Sequence, residues 1–250
     1  MKYFIVLLFS NLIFAQNADG FIDYQYLHKT DLIDKTKMRK AQFRMFFTTT
    51  KTFAYNLDVF NRTLQIAKQL GDQNPEFKEE KNQIKPNNFE IVDLQNQVFN
   101  SFEFNNISYL IQDSIKQDWT ILEDKKQILN YNCQKAITTF RGRAYEAWFT
   151  IDIPLPFGPW KLNGLPGAIF YASDKTGDVV FSAVKISTEL IENIIVEPTK
   201  YELVTKEKFA AINENYSNQI NSNFSVTKNG ESYTPVPKIK KKINNPLELE

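Results

Sequence analysis

Cys133-Gln134-Lys135-Ala136-Ile137-Thr138-Thr139-Phe140, then Arg141-Gly142-Arg143, then Ala144-Tyr145-Glu146-Ala147-Trp148-Phe149-Thr150-Ile151 is the stretch that decides the fold. In its last run Tyr145, Ala147, Phe149 and Ile151 make one continuous apolar face. Ala144, Glu146, Trp148 and Thr150 make a second, more mixed one, the alternation of a half-buried strand. The short Arg-Gly-Arg link folds the two runs onto each other as a tight antiparallel hairpin. Working outward, similar runs rich in aromatic and β-branched residues lie at 20–28, 41–49, 52–57, 89–94, 98–104, 107–112, 118–122, 168–173 and 178–188. Asp174-Lys175-Thr176-Gly177-Asp178 joins the last two, with Gly177 able to take a positive φ. Successive hairpins of this kind predict a mainly β chain: an antiparallel, strongly curved meander sheet or half-open barrel. Thr205, Glu207 and the stripe Phe209, Ile212, Tyr216 predict one C-terminal helix packed on it.

A second stretch breaks the strand pattern. In Gly158-Pro159-Trp160-Lys161-Leu162-Asn163-Gly164-Leu165-Pro166-Gly167-Ala168-Ile169, prolines and glycines are concentrated. Pro154, Pro156 and Pro159 keep the chain extended and remove donors. Leu165-Pro166-Gly167-Ala168 reads as a type II turn, with Pro166 presetting φ and Gly167 accepting the positive φ. Gly164 marks a bend or a close approach of backbone. Trp148, Phe149, Phe157, Trp160 and Phe170 cluster around this segment. Two readings stay open: a plug that closes one end of the sheet, or the mouth of an apolar cavity with these five as ligand contacts.

These residues also carry a family resemblance. Gly158-Pro159, Gly164-Leu165-Pro166-Gly167-Ala168-Ile169, Tyr131-Asn132-Cys133-Gln134-Lys135-Ala136, Ala147-Trp148-Phe149-Thr150, Ile153-Pro154 and the ending Asn245-Pro246-Leu247-Glu248-Leu249 resemble the GLPGLI (Porph_ging) family of exported Gram-negative proteins. Ala168 stands where that family usually has Leu. The resemblance implies export and a shared structural motif, and no particular activity.

Composition narrows the classes. The chain has 250 residues, with 30 basic against 29 acidic, so no bulk attraction to nucleic acid or membrane surface follows. Lys2, the apolar run over 4–14 and Ala15 read as a signal peptide over 1–15, too short to span a bilayer. The remainder divides into a β-rich domain over 16–221, with a polar insertion at 58–88, and an extended basic tail over 222–250. The insertion holds at most a helical turn near 63–70. In the tail, Lys238, Lys240, Lys241 and Lys242 read either as a solvated run or as a contact for acidic headgroups. The only cysteine, Cys133, excludes an intramolecular disulfide and is placed as a buried, inert thiol. With no cysteine near Ala15, the expectation is an exported periplasmic or envelope protein that is not a lipoprotein.

Catalytic sets are missing from the sequence. A lone His28 supports no repeated-imidazole metal site, and neither a P-loop nor a dinucleotide fingerprint occurs. No cofactor or metal is expected. Glu79-Glu80 and Glu123-Asp124 sit in polar, turn-like segments and read as solvated turns, with paired carboxylates for glycoside hydrolysis as the alternative. The sequence therefore predicts a non-enzymatic binding protein for a hydrophobic ligand or lipid. The alternative is an accessory module assembling with an outer-membrane protein partner. A third reading, an enzyme acting on peptides or glycans through a non-standard site, has no recognisable residue set behind it.

Overall fold

The computed structural model describes residues 16–73, 88–93, 97–104, 107–195, 201–223, 226–228, 231–233 and 244–249. The signal-peptide segment 1–15, residues 74–87 of the expected insertion and the four tail lysines lie outside them. In chain order the elements are β1 (Gln16–Ala18), β2 (Gly20–Lys29), β3 (Met38–Phe47), β4 (Lys51–Asn56), α1 (Leu57–Gln73), β5 (Asn88–Asp93), β6 (Gln97–Phe104) and β7 (Ile107–Ser114). Then come β8 (Thr120–Ile128), β9 (Tyr131–Phe140), β10 (Arg143–Thr150), β11 (Ala168–Asp174), β12 (Val179–Ser187), β13 (Ile191–Ile195), β14 (Glu202–Val204), α2 (Lys206–Asn223), β15 (Val226–Lys228) and β16 (Glu231–Tyr233).

Twelve strands form one sheet in the order β14-β7-β6-β5-β4-β3-β2-β12-β11-β10-β9-β8. It consists of two meanders, β2 to β7 and β8 to β12, zipped together where β2 pairs antiparallel with β12. The mainly β, antiparallel expectation holds, with β14 alongside β7 as a parallel pairing at one edge. The sheet is not closed, because β14 and β8 do not meet. The β9–β10 hairpin turns through Arg141 (φ 49°) and Gly142 (φ 72°), the paired positive angles that match the twist of the flanking strands. Leu129 (φ 51°) and Asn130 (φ 67°) make the same turn between β8 and β9 without a glycine.

Two helices stand where one was expected. Asn56 caps α1, its Oδ1 accepting the Val59 amide at 2.9 Å, and Asp58 supplies negative charge in the first turn. The helix forms because Leu57 and Phe60 pack on Phe46, Phe53, Tyr55, Ile91 and Leu110, with Ala18 of β1 and Ile191 of β13 beside them. At the second helix, Thr205 Oγ1 accepts the Lys208 amide at 3.2 Å, and the Phe209 ring meets Tyr109 of β7 edge-on at 5.9 Å.

The opposite face of the sheet carries the larger core. Ile22, Tyr24, Met45, Ala136, Ala147, Phe149 and Phe181 are covered by Ile153, Phe157, Leu162 and Leu165 of the segment between β10 and β11. Full burial of one such ring or aliphatic side chain contributes roughly 1.5–3 kcal/mol. The covering segment is tied down by Gly164 N donating to Pro156 O (2.8 Å) and Ala168 N donating to Ile153 O (2.9 Å). In this segment Trp160 (φ 54°) and Gly164 (+90°) hold positive φ and Gly167 does not, so the expected type II turn is not formed. Gly167 is needed for space instead. A Cβ there would sit 1.9 Å from the Thr150 carbonyl oxygen.

Within the tail expected over 222–250, residues 244–249 are docked on the sheet. Asn245 is 1% exposed and bonds in four directions. Its Nδ2 donates to Lys29 O (2.7 Å) and Asp178 Oδ2 (3.1 Å), its Oδ1 accepts from Arg143 Nη2 (2.6 Å), and its carbonyl accepts from His28 Nε2 (2.7 Å). Those four bonds hold the segment across β2, β10 and the β11–β12 turn.

Candidate functional site

Of the five aromatic residues singled out in the sequence, Trp148, Phe149, Phe157 and Phe170 are buried members of the larger core and Trp160 packs against it. Phe149, Phe157 and Phe170 are 0–1% exposed in the core. Trp160 is partly buried and lines a cavity on the covered face. Trp148 is 8% exposed and belongs to the same buried cluster, but alternation along β10 puts it on the side of the sheet away from Phe149, across from Lys135 of β9 and Tyr171 of β11 and beneath the Lys126 ammonium. Of the motif residues, Gly158 packs against Ile169 and the Leu162 carbonyl, Pro159 lines the same cavity as Trp160, and Leu165 is buried while Pro166 is exposed.

On the open face, register places two rows of side chains across neighbouring strands. Ile137, Glu146 and Ser173 form one; Lys135, Trp148, Tyr171, Ser182 and Gln25 form the next. Glu146 organises the centre. Its Oε1 accepts the Trp148 indole N–H at 2.9 Å, and its Oε2 pairs with Lys135 Nζ at 2.7 Å. The bond from Lys135 holds the Glu146 carboxyl below its usual range. Lys126, projecting from β8, places its ammonium 4.0 Å from the Trp148 ring centroid and 4.8 Å from that of Tyr171. Beside this cluster lies an open groove of about 790 Å³, lined by Thr120, Ile137, Thr139, Glu146, Tyr171 and Ser173 among others. Rings, a carboxylate, ammonium groups and hydroxyls thus stand within reach of one another on one side of the sheet. That mixture offers stacking for an apolar ring face and hydrogen bonds for hydroxyls at its rim.

The covered face holds a second feature, a partly open cavity of about 480 Å³. Tyr26, Phe43, Trp160 and Phe181 wall it, with Tyr26 and Phe181 stacked at 5.0 Å and Trp160 and Phe181 parallel at 6.2 Å. Burial pushes the Tyr26 phenol up to about 12. Glu90 of β5 points into the same space with no hydrogen bond to any described residue. Burial raises its carboxyl to about 7, partly offset by Lys161. Lys161 itself is engaged elsewhere, with Asp113 at 2.6 Å and with Glu248. Burial disfavours the Asp113 carboxylate, but bonds from Lys161 and Lys206 outweigh it and bring its pKa to about 2.

Glu90 and the Lys126–Glu146–Tyr171 group were missed in the sequence. The signal for Glu90 was present, since it shares strand parity with the core residue Val92. Cys133 is 1% exposed and burial pushes its thiol up to about 11. Among the described residues no group of three or more His, Cys, Asp or Glu could hold a metal ion, and no helix is long and apolar enough to cross a membrane.

Comparison with known proteins changes the family reading. The family model described as "N-glycanase peptide, N-terminal domain" matches residues 57–207, more than half of the chain. A solved structure of PNGF-II in space group P21 superimposes with a TM-score of 0.54 at 19% identity, over 79% of this chain and 33% of that one. A second, in space group C2, gives 0.53 at 19% identity, over 86% and 35%. The chain thus spans about a third of the length of the structures it matches, and the likeness to them shows the fold. No curated protein matches the chain. The family match overturns the GLPGLI resemblance, which rested on short stretches of sequence. It also overturns the non-enzymatic hydrophobic-ligand or lipid binder and the outer-membrane accessory module, because the matched family is a domain of an N-glycanase.

Proposed function

We propose that this chain, which belongs to the family of N-glycanase N-terminal domains, works in the processing of N-linked glycans and holds the sugar of a glycoprotein on its open sheet face. The observation that carries this reading is the Trp148–Tyr171 pair set among Glu146, Lys135 and Lys126 at the edge of a groove. A pyranose ring has one face of C–H groups and a rim of hydroxyls. Its face suits the partly exposed Tyr171 ring and, once Lys126 swings aside, the covered Trp148 ring, and its rim suits the carboxylate, ammonium and hydroxyl groups alongside. Lys126 is exposed, so its displacement costs little.

Two further expectations fit this proposal. The strong curvature read from the sequence would bend the sheet around the covered cavity and leave the open face accessible. Export, inferred from Lys2, the apolar run and Ala15, would bring the chain to glycoproteins outside the cytoplasm.

The test uses the full chain, a peptide bearing one N-linked glycan, and the same peptide without it. Calorimetry should show binding of the glycopeptide alone, weakened about tenfold in Tyr171→Ala and in Glu146→Gln. Mass spectrometry of the recovered glycopeptide reports whether the glycan has been released. Equal binding of both peptides, or no binding and no release, refutes the proposal.

A further inference from the structure

Glu90 is the feature that glycan handling on the open face leaves unexplained. Its carboxyl stands in a cavity of about 480 Å³, within the usual range of small-molecule sites, roughly 300–1,000 Å³. By surface area the side chain is half-buried, yet what it faces is the cavity, walled by protein. The three charged groups that act on it, Lys161, Asp113 and Glu248, bond to one another and leave Glu90 with Coulomb attraction from Lys161 only. A carboxyl that faces a protein-walled cavity and bonds to no described residue marks a place where a ligand group would complete the bonding.

The walls say what kind of group. Tyr26, Phe43, Phe181 and Trp160 present a nearly continuous aromatic lining, with Tyr26 and Phe43 in edge contact at 5.7 Å. Ring faces attract cations, and so does a carboxylate. A wholly apolar occupant would satisfy the rings and leave Glu90 unpaired, so it does not fit. Trp160 adds a second sign: it holds a left-handed backbone (φ 54°), a strained state for a bulky residue. Its ring lies parallel to Phe181 on the cavity wall.

We propose that this cavity is a binding site for a small organic cation, an ammonium group on an apolar body, with the ammonium on the Glu90 carboxylate and the body against Tyr26, Phe43, Phe181 and Trp160. The site lies on the covered face and is independent of the glycan reading.

Phenethylamine is the probe, and 2-phenylethanol, of the same shape but uncharged, is its control. Calorimetry on the full chain at about pH 8, where the amine is protonated, should show the amine binding at least about tenfold more tightly than the alcohol. In Glu90→Gln that preference should vanish. Should Glu90→Gln fail to fold, the wild-type chain still decides, because its preference for the amine should shrink on going to about pH 5.5 as the carboxyl takes up a proton. Equal affinity of amine and alcohol, failure of both to bind, or a preference that survives in Glu90→Gln or at low pH overturns the proposal.

Discussion

Replacing Glu90 by glutamine should make the protein more stable at neutral pH and leave it unchanged in mild acid. Burial carries the Glu90 carboxyl from its ordinary 4.5 to about 7 in the folded chain. A folded-state pKa above the unfolded one means that the folded chain holds this proton longer. The associated stability is therefore fully present below about pH 4.5, is lost as pH rises towards 7, and stays lost above it. At about 1.4 kcal/mol per pH unit, the loss reaches about 3 kcal/mol. Two other groups act near this window. His28, whose pKa is lowered chiefly by burial, gains stability as pH rises and so opposes Glu90. Asp113, at about 2, matters only in stronger acid. Glutamine keeps the shape of the side chain and removes its titration, so the difference between variant and wild type isolates Glu90. Urea unfolding followed by circular dichroism at several values from about pH 4.5 to 8 should show that difference growing from near zero to about 3 kcal/mol and then levelling. A difference that stays flat, or a variant less stable at about pH 8, would refute the reasoning.

Gly167→Ala should cost at least about 2 kcal/mol, because the new methyl meets the Thr150 carbonyl at 1.9 Å and backbone stands on both sides of the clash. Gly177→Ala, with φ at +66° and nothing within 4 Å, should cost only about 1 kcal/mol; thermal unfolding that ranks the two the other way would show the space argument to be wrong. Asn245→Ala strips partners from Arg143, Asp178 and the Lys29 carbonyl together. It should lower stability by about 2–4 kcal/mol in the same measurement, and a change within error would mean that the Asn245 side-chain bonds contribute nothing to the fold.

Most of the sheet was legible because period-two alternation survives in β2 to β12 wherever one face is buried and the other wet. What failed to show has identifiable causes. Helix α1 hides Leu57 and Phe60 among Asn, Gln, Lys and Asp, so its narrow apolar stripe reads as a polar insertion. The turn at Leu129-Asn130 has no glycine to announce it. The docking of Asn245 follows a lysine-rich run, and its partners lie 67 to 217 positions away in the chain, beyond any local pattern. Of the site, Trp148 and Trp160 were visible as aromatics near a stiff segment, but which face each would take depended on pairing that only three dimensions supply. Lys126 and Glu146 looked like ordinary solvated charges, and only their distances to Trp148 set them apart.

The slip in pairing between Trp148 and Phe149 has an evolutionary consequence. Trp148 lies across from Tyr171 and Phe149 from Ile169, so Phe170 is the surplus residue that absorbs the mismatch. Point substitutions can retune either side of these strands on its own. Loss or gain of one residue elsewhere within β10 or β11, with no second bulge to absorb it, would instead trade the outward inventory for the core inventory over the rest of the strand, stranding rings in water and charges in oil. Length changes tolerated by descendants of this chain should therefore arrive two residues at a time, or be confined to the turns.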